Sequence, residues 1–382
     1  PFSELQDFLP ASAIGNIFGF IYDKETKILK TFRQYAFGRA LMLSLPFLMM
    51  DESKKAVGPN VVLLSGTSWA KDSFRYHIHA KVNYILESDP RIRRKIEETK
   101  VKYLPIEIRV SGSGENRDKN LEELVKYTVP YIQNELERTK GRILFIVNSY
   151  AEASRAKEYL QMQFPREKIR YLVRDDEEEK HDTLKRGNIW KLYQTDTKML
   201  VAPAGAIERG HNIVDEMGHS VLTSVFFLTR PMTVPGDIED VITLVNGIVS
   251  KKVEELQSAN LLKRIGSIRS TAIKMWSKLL GANNYSLDNL DPHEKRDLAV
   301  SKLVIIHQIF GRLVRITDFD RPAPSIYFAD AAFKGRNPQS FDLLEEMMSW
   351  LDELINSGTE REIAETLYGP FYRACKRGLN DD

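Results

Sequence analysis

Short apolar runs that alternate with polar, amphipathic stretches constrain this chain more than any other feature. GRILFIVNSY at 141–150, KMLVAP at 198–203, VLTSVFFLTR at 221–230 and SIYFAD at 325–330 each concentrate β-branched and aromatic residues over a few positions. Runs of that length, bounded by turn residues, read as strands buried on both faces. IEIRV at 106–110 alternates like a further strand. Between them, residues 120–139 and AEASRAKEYLQMQF at 151–164 carry the spacing of amphipathic helices. Strands alternating with helices predict an α/β fold, with a mainly parallel sheet and helices on both faces.

The flanking regions follow other patterns. Residues 13–50 are rich in Phe, Leu and Ile and read as mostly helix, ending near Pro46. A loop at 51–60 closes on Gly58-Pro59-Asn60, and VVLL at 61–64 reads as a buried strand running into Ser65-Gly66-Thr67. Residues 236–300 break the rhythm and read as helices with a polar loop around 281–293. Two helices follow at the tail, the first stopped by Gly358 and the second opening with a Thr359/Glu362 capping pattern. The most apolar stretch, 40–50, is shorter than the roughly 20 residues a spanning helix needs and contains Pro46, so it reads as core and no membrane is expected.

Charge and cysteine content narrow the function classes. Lys and Arg number 55 against 53 Asp and Glu, for a net charge of +2, so nucleic-acid binding has to rest on a local patch. The single cysteine, Cys375, excludes an internal disulfide and a multi-cysteine metal cluster and suits a reducing cytoplasm, the expected location. No metal site is expected either: His77 and His79 alternate on an extended segment without a carboxylate or cysteine partner, and His211, His219 and His307 read as structural. Cys375 and the stripe formed by Leu343, Leu344, Met347, Met348, Trp350, Leu351 and Leu354 read as core. The basic cluster Arg91–Lys95 reads as a solvated face, and Gly112-x-Gly114 as a flexible turn, since Arg117 stands where a dinucleotide loop needs its third glycine.

HQIFGRLVR at 307–315 carries the most chemistry. On a continuous helix, Gln308, Arg312 and Arg315 would share one face and present two always-charged guanidinium groups to phosphate oxygens. A solvated basic face is the plainer alternative. Elsewhere the chain has no G-x-x-x-x-G-K-[ST] sequence, hence no P-loop.

Gln308-x-x-Gly311-Arg312-x-x-Arg315 resembles motif VI of superfamily 2 helicases, and three other segments stand in that family's order. Ser65-Gly66-Thr67 resembles motif III, with Gly66 where alanine is usual. GRILFIVNSY resembles the motif IV strand that opens the second motor domain. VAPAGAIERGHNI at 201–213 resembles motif V, with Asn212 where an aspartate is common. GRLVR followed by TDFDRPAPSIYFADAAF is similar to the DinG-type branch, and RPMTVPGDIEDVI resembles helicases encoded beside Argonaute-like and nuclease-like genes in prokaryotic defence islands. Asp51-Glu52 lies too close to Ser65 to be the acidic pair of motif II.

The resemblance covers roughly residues 60–335 and implies a RecA-like, P-loop NTPase-type fold. It divides the chain into a remnant of the first motor domain (1–70), a second RecA-like domain (71–235 and 301–340), a helical insertion (236–300) and C-terminal helices (341–382). It makes Arg312 and Arg315 arginine fingers, with Gln308 orienting nucleotide or water. Gly210, Asn212 and Gly311 would lie against the nucleotide; Ser149, Tyr150 and Gly205 against a nucleic-acid strand; Ser65 and Thr67 would couple the domains. ATP and Mg are implied for the intact protein, with the Mg ligands in the first motor domain. The implied partners are single-stranded nucleic acid, DNA by the DinG likeness, that first motor domain, and a protein at 236–300. Without a P-loop, the chain alone is expected not to hydrolyse ATP. The alternatives are a helicase-derived module that grips nucleic acid without turnover, or a scaffold whose surface helices, including 341–356, dock other subunits.

Overall fold

The computed structural model describes residues 17–22, 27–34, 41–43, 45, 50, 53 and 58–380, apart from 140, 209, 233–237, 256–260, 282–286, 288–289, 316–318, 320, 338 and 357. The chain forms two compact units, one from residues 1–82 and 235–286, the other from 83–234 and 287–382.

The larger unit is built on a seven-stranded sheet in which every pairing is parallel. Its strands are β3 (Lys100–Tyr103), β4 (Arg142–Val147), β5 (Ile169–Val173), β6 (Thr183–Lys185), β7 (Met199–Pro203), β8 (Leu222–Phe227) and β9 (Ser325–Phe328), in the order β3-β9-β8-β4-β7-β5-β6. The central strand, β4, sets Ile143 beside Met199 on one flank and beside Ser224 on the other. Ile143, Phe145 and Val147 face a core that includes Leu121, Leu124 and Ile132 of helix α2 (Arg117–Thr139) and Ala153, Ala156 and Leu160 of helix α3 (Tyr150–Gln163). The alternate residues Leu144, Ile146, Val225 and Phe227 are equally buried, so both faces are covered, as an all-parallel sheet requires. Stacked rings run across the sheet, from Phe145 to Phe226 to Tyr327 on one face and from Phe227 to Phe328 on the other.

Helix α1 (Pro90–Glu97) precedes β3. A single turn, α4 (Ala204–Ile207), follows β7, and α7 (Pro292–Phe310) leads toward β9. The tail helices are α8 (Leu343–Asn356) and α9 (Arg361–Asn380). His307 and Phe310 of α7 meet Tyr368 and Phe371 of α9, and Trp350 of α8 closes on Tyr368. Cys375 is buried, and burial raises its thiol pKa far above the ordinary value, so it belongs to the core.

The smaller unit holds an antiparallel hairpin, β1 (Ile17–Tyr22) and β2 (Leu29–Gln34), and two helices, α5 (Ile238–Glu255) and α6 (Leu261–Gly281), joined through Val245, Val249 and Ala272. Gly247 is the seat for the segment around Phe74: a Cβ there would fall 1.8 Å from the Phe74 carbonyl oxygen. Residues 235–286 thus group with 1–82, whereas α7 belongs to the larger unit.

Three expectations need correction. Residues 17–22 and 29–34 are strands rather than helix, because alternate residues pair across the turn, Phe20 with Thr31 and Tyr22 with Leu29. VVLL at 61–64 forms no strand: Val62 and Leu64 are about four-fifths exposed, and among the described residues no strand pairs with them. IEIRV at 106–110 is also not a strand. The edge strand is the more polar KVKY, and Pro105, which has no N–H to give the ladder, ends it. Asp51-Glu52 and Pro46 lie outside the described residues. Among the described residues, no helix is long and apolar enough to cross a membrane.

Candidate functional site

α7 begins with a full capping box, Asp291 accepting from the Glu294 N–H and Glu294 reaching back to the Asp291 N–H. It ends at Phe310. Gly311 caps it, with its N–H on the His307 carbonyl, and Arg312 and Leu313 tighten the exit through bonds to Ile309 and Phe310. The continuous helical face expected for Gln308, Arg312 and Arg315 is therefore broken. The reason is local: the tightened turn drives Leu313 into the core, where it is 2% exposed, and swings the residues after it away from the helix axis. Gly311 serves as a helix cap, and a Cβ on it would press only on the carbonyls of its own last turn.

The two arginines diverge. Arg312 reaches the segment after β7, its Nη2 donating to the Glu208 carbonyl at 2.8 Å and its Nη1 to the His211 carbonyl. The Arg312 carbonyl accepts in turn from the Ser220 hydroxyl. Arg312 is half-buried, and burial together with the nearby Arg315 holds its pKa below the ordinary arginine value. Its Nε is buried without a hydrogen-bond partner among the described residues. Arg315 is exposed. It lines a cavity of about 30 Å³ with His219, Ser220, Thr223 and Arg321, beside the start of β8, and its carbonyl accepts from the Ser220 N–H. Gln308 is half-buried in the last turn of α7.

The segment after β7 is thus fastened to the end of α7. Gly210 adopts φ +78°, a left-handed conformation that side chains other than glycine's resist. Gly205 needs no such freedom: it sits in the α4 turn with open space around it. His211 bonds the Ala206 carbonyl at 3.0 Å. Burial lowers its pKa, with Arg186 and Arg312 adding to the effect, so it is a neutral strut at neutral pH. Asn212 is exposed.

The carboxyl ends of the strands, where open parallel sheets bind ligands, gather the remaining residues of the larger unit. Ser149 caps α3, accepting from the Glu152 N–H at 3.2 Å, and Tyr150 opens that helix. The Glu152 carboxylate accepts from the Asn148 N–H and from Arg117. The Asn148 side chain donates to the Arg230 carbonyl and accepts from the Met232 N–H, tying the ends of β4 and β8. Asp330, fully buried after β9, accepts from four backbone N–H groups, those of Val110, Ser111, Arg230 and Ala332, at 2.9–3.1 Å. Arg174 and Arg186, which belong to none of the motif-like segments, close this edge at the ends of β5 and β6. The Arg174 guanidinium lies 5.4 Å from the Tyr150 ring.

In the smaller unit, the Ser65 hydroxyl accepts from the N–H groups of Thr67 and Ser68, a self-closed turn. In the Arg91–Lys95 cluster, Arg91 and Arg94 are exposed, as a solvated face requires; Arg91 also pairs with Asp89, and Arg93 turns to Glu365 of α9. Gly112 and Gly114 form the turn expected of them, both at positive φ. Among the described residues no group of three or more His, Cys, Asp or Glu is placed to hold a metal ion. No family model matches the sequence, and no curated protein is significantly similar to it.

Proposed function

We propose that this chain is the C-terminal motor half of a DinG-type superfamily 2 helicase, acting on single-stranded nucleic acid, DNA by preference, with ATP as the fuel. One observation carries the reading. The segments resembling motifs V and VI lie about a hundred residues apart in the chain, and Arg312 fastens one to the other through the carbonyls of Glu208 and His211. The all-parallel sheet beneath them is the frame such a motor uses.

The divergence of the arginines divides the labour. Arg312 is a positioning residue that sets the 208–211 backbone against the end of α7. Arg315, exposed and fixed through its own carbonyl, supplies the positive charge that a transferring phosphoryl group needs. Gln308, in the last turn of α7, would orient nucleotide or water by the resemblance. The phosphate-cradling loop and the Mg ligands belong to the first motor domain. ATP-driven closure of two such domains would step the protein along a strand, and the protein partner would dock on 236–300.

A second reading is favoured by the same bonds. Both terminal nitrogens of Arg312 are spent on carbonyls, which suits a helicase-derived module that grips nucleic acid, or a scaffold, without turnover. ATP hydrolysis by the native full-length protein, with and without single-stranded DNA, separates the two. Strand-stimulated hydrolysis that Arg315→Ala abolishes, with unfolding unchanged, supports the motor. Hydrolysis untouched by both Arg312→Ala and Arg315→Ala removes motif VI from the mechanism, and an inactive full-length protein gives the lead to the module.

A further inference from the structure

The ends of β5 and β6 carry two arginines that neither the motif-like segments nor the buried networks use. Val173 and Lys185 are register partners in neighbouring parallel strands, so the residues that follow them, Arg174 and Arg186, emerge side by side at the carboxyl edge of the sheet. The turns that hold them are locked together. The Gly187 N–H donates to Asp175 Oδ1 at 2.6 Å, and the Arg174 N–H reaches Glu177 Oε1 at 3.4 Å. Asp175 and Glu177, from the exposed acidic run that follows Arg174, are the acceptors of these bonds. Both arginine side chains are exposed, and among the described residues neither joins an ion pair.

Their neighbours extend the same surface. Arg174 stacks on Tyr150, the first residue of α3, whose fourteen residues aim the positive end of the helix dipole along this edge. Burial raises the Tyr150 phenol pKa, with Asp175 and Glu177 adding to the rise and Arg186 and Arg174 opposing it; Arg186 also adds to the lowering that burial imposes on His211. Exposed guanidinium groups beside an aromatic ring form the surface that tracks a charged backbone while offering a platform to a base.

We propose that Tyr150, which opens α3 after β4, and Arg174 and Arg186, at the ends of the neighbouring strands β5 and β6, grip the phosphodiester backbone of a single-stranded nucleic acid. The inference rests on the strand-binding part of the proposed function and adds to it two cations that no motif supplies. Arg166 is the matching control: it is equally exposed but precedes β5, at the opposite edge of the sheet.

The test is equilibrium binding of fluorescent oligo(dT) and oligo(U) to the full chain across a salt series, for the wild type, Arg174→Ala/Arg186→Ala and Arg166→Ala. Each lost phosphate contact should reduce the slope of log K against log salt by about 0.7 and weaken binding about fivefold at 0.1 M salt. The double variant should lose both contacts, Arg166→Ala neither, and circular dichroism should report all three folded. Loss on both oligomers assigns the site to the shared phosphodiester chain, and loss on one alone restricts it to DNA or to RNA. Wild-type binding that the double variant keeps, or that Arg166→Ala weakens equally, overturns this inference and leaves the proposed function standing. A wild type that binds neither oligomer at low salt overturns the strand-binding reading and this inference with it.

Discussion

Two buried carboxylates sit at opposite ends of the same sheet and are satisfied in opposite ways. Glu135, on α2 near the starts of β8 and β9, is met by side chains: Arg138 with two nitrogens, the hydroxyls of Ser224 and Ser325, and the Tyr327 phenol at 2.7 Å. Asp330, after β9, is met entirely by backbone N–H groups from three separate loops. The first arrangement closes a seam between a helix and two strands that are already regular. The second gives shape to chain that has no ladder of its own, fixing the 110–111, 230 and 330–332 segments against one another. The edge held through backbone is also the edge where Asn148, Tyr150, Arg174 and Arg186 gather. A carboxylate that organises loops leaves side chains free for ligands, whereas one that consumes side chains leaves none.

The largest expected effect breaks the closed seam. Glu135→Ala strands a guanidinium, two hydroxyls and a phenol and should cost about 3–5 kcal/mol, read by urea unfolding. Oligonucleotide affinity of the folded fraction should not change. If affinity falls with stability, the two edges are not separable.

Acid sharpens the comparison next. Burial raises the Glu135 pKa, but the hydrogen bonds from Arg138, Ser224 and Tyr327 outweigh it and leave the folded value below 4.5. Its contribution is therefore complete above the unfolded value and lost as pH falls through the lower folded one. His307 titrates earlier. Enclosed by Phe310, Tyr368 and Phe371, with its Nδ1 buried and lacking a hydrogen-bond partner among the described residues, it has a pKa pushed down by burial to about 4 from 6.5. The unfolded chain takes up that proton first, so stability should fall by about 3 kcal/mol between pH 6.5 and 4. Unfolding measured over this range for the wild type and His307→Phe checks it: the variant should lose that slope and keep the steeper loss at lower pH.

A smaller effect is expected at the open edge. Asp330→Asn keeps the size but turns an amide N–H₂ toward two backbone donors, at about 1–3 kcal/mol. Its mark should be local, with faster hydrogen exchange at Val110, Ser111 and Arg230 than at Ile143 or Val225. Uniform acceleration would mean that Asp330 serves global stability, as Glu135 does. Smallest of all, Arg315→Ala should change stability by less than about 0.5 kcal/mol, as at other exposed positions, while removing strand-stimulated hydrolysis.

Much of the sheet was legible in the sequence because β4, β7, β8 and β9 are apolar at most positions, the mark of strands covered on both faces. β3, with three half-polar residues at the sheet's border, and β6, three residues long, carry too little of that signal. The candidate site was legible in part. Arg312 and the 208–211 segment both lie in motif-like stretches of the sequence, and they meet. The divergence of Arg312 and Arg315 was not legible, because an R-x-x-R spacing says nothing of where the helix stops, and Gly311 stops it one residue earlier. Arg174 and Arg186 went unnoticed because they are separated by a run dominated by Asp and Glu, and only the parallel register of β5 and β6 brings them together.

That register also sets the order in which the molecule can be completed. β9 lies between β3 and β8, yet it is the last strand to leave the ribosome, and Lys100 waits for Ser325. Until then β8 has an open edge that displays SVFF, and β3 has no partner at all. Pairings this remote in sequence form slowly, and an apolar edge held open is a target for other chains. During synthesis the nascent protein therefore depends on cover for β8, and a truncation before residue 325 should yield aggregates rather than a smaller folded product.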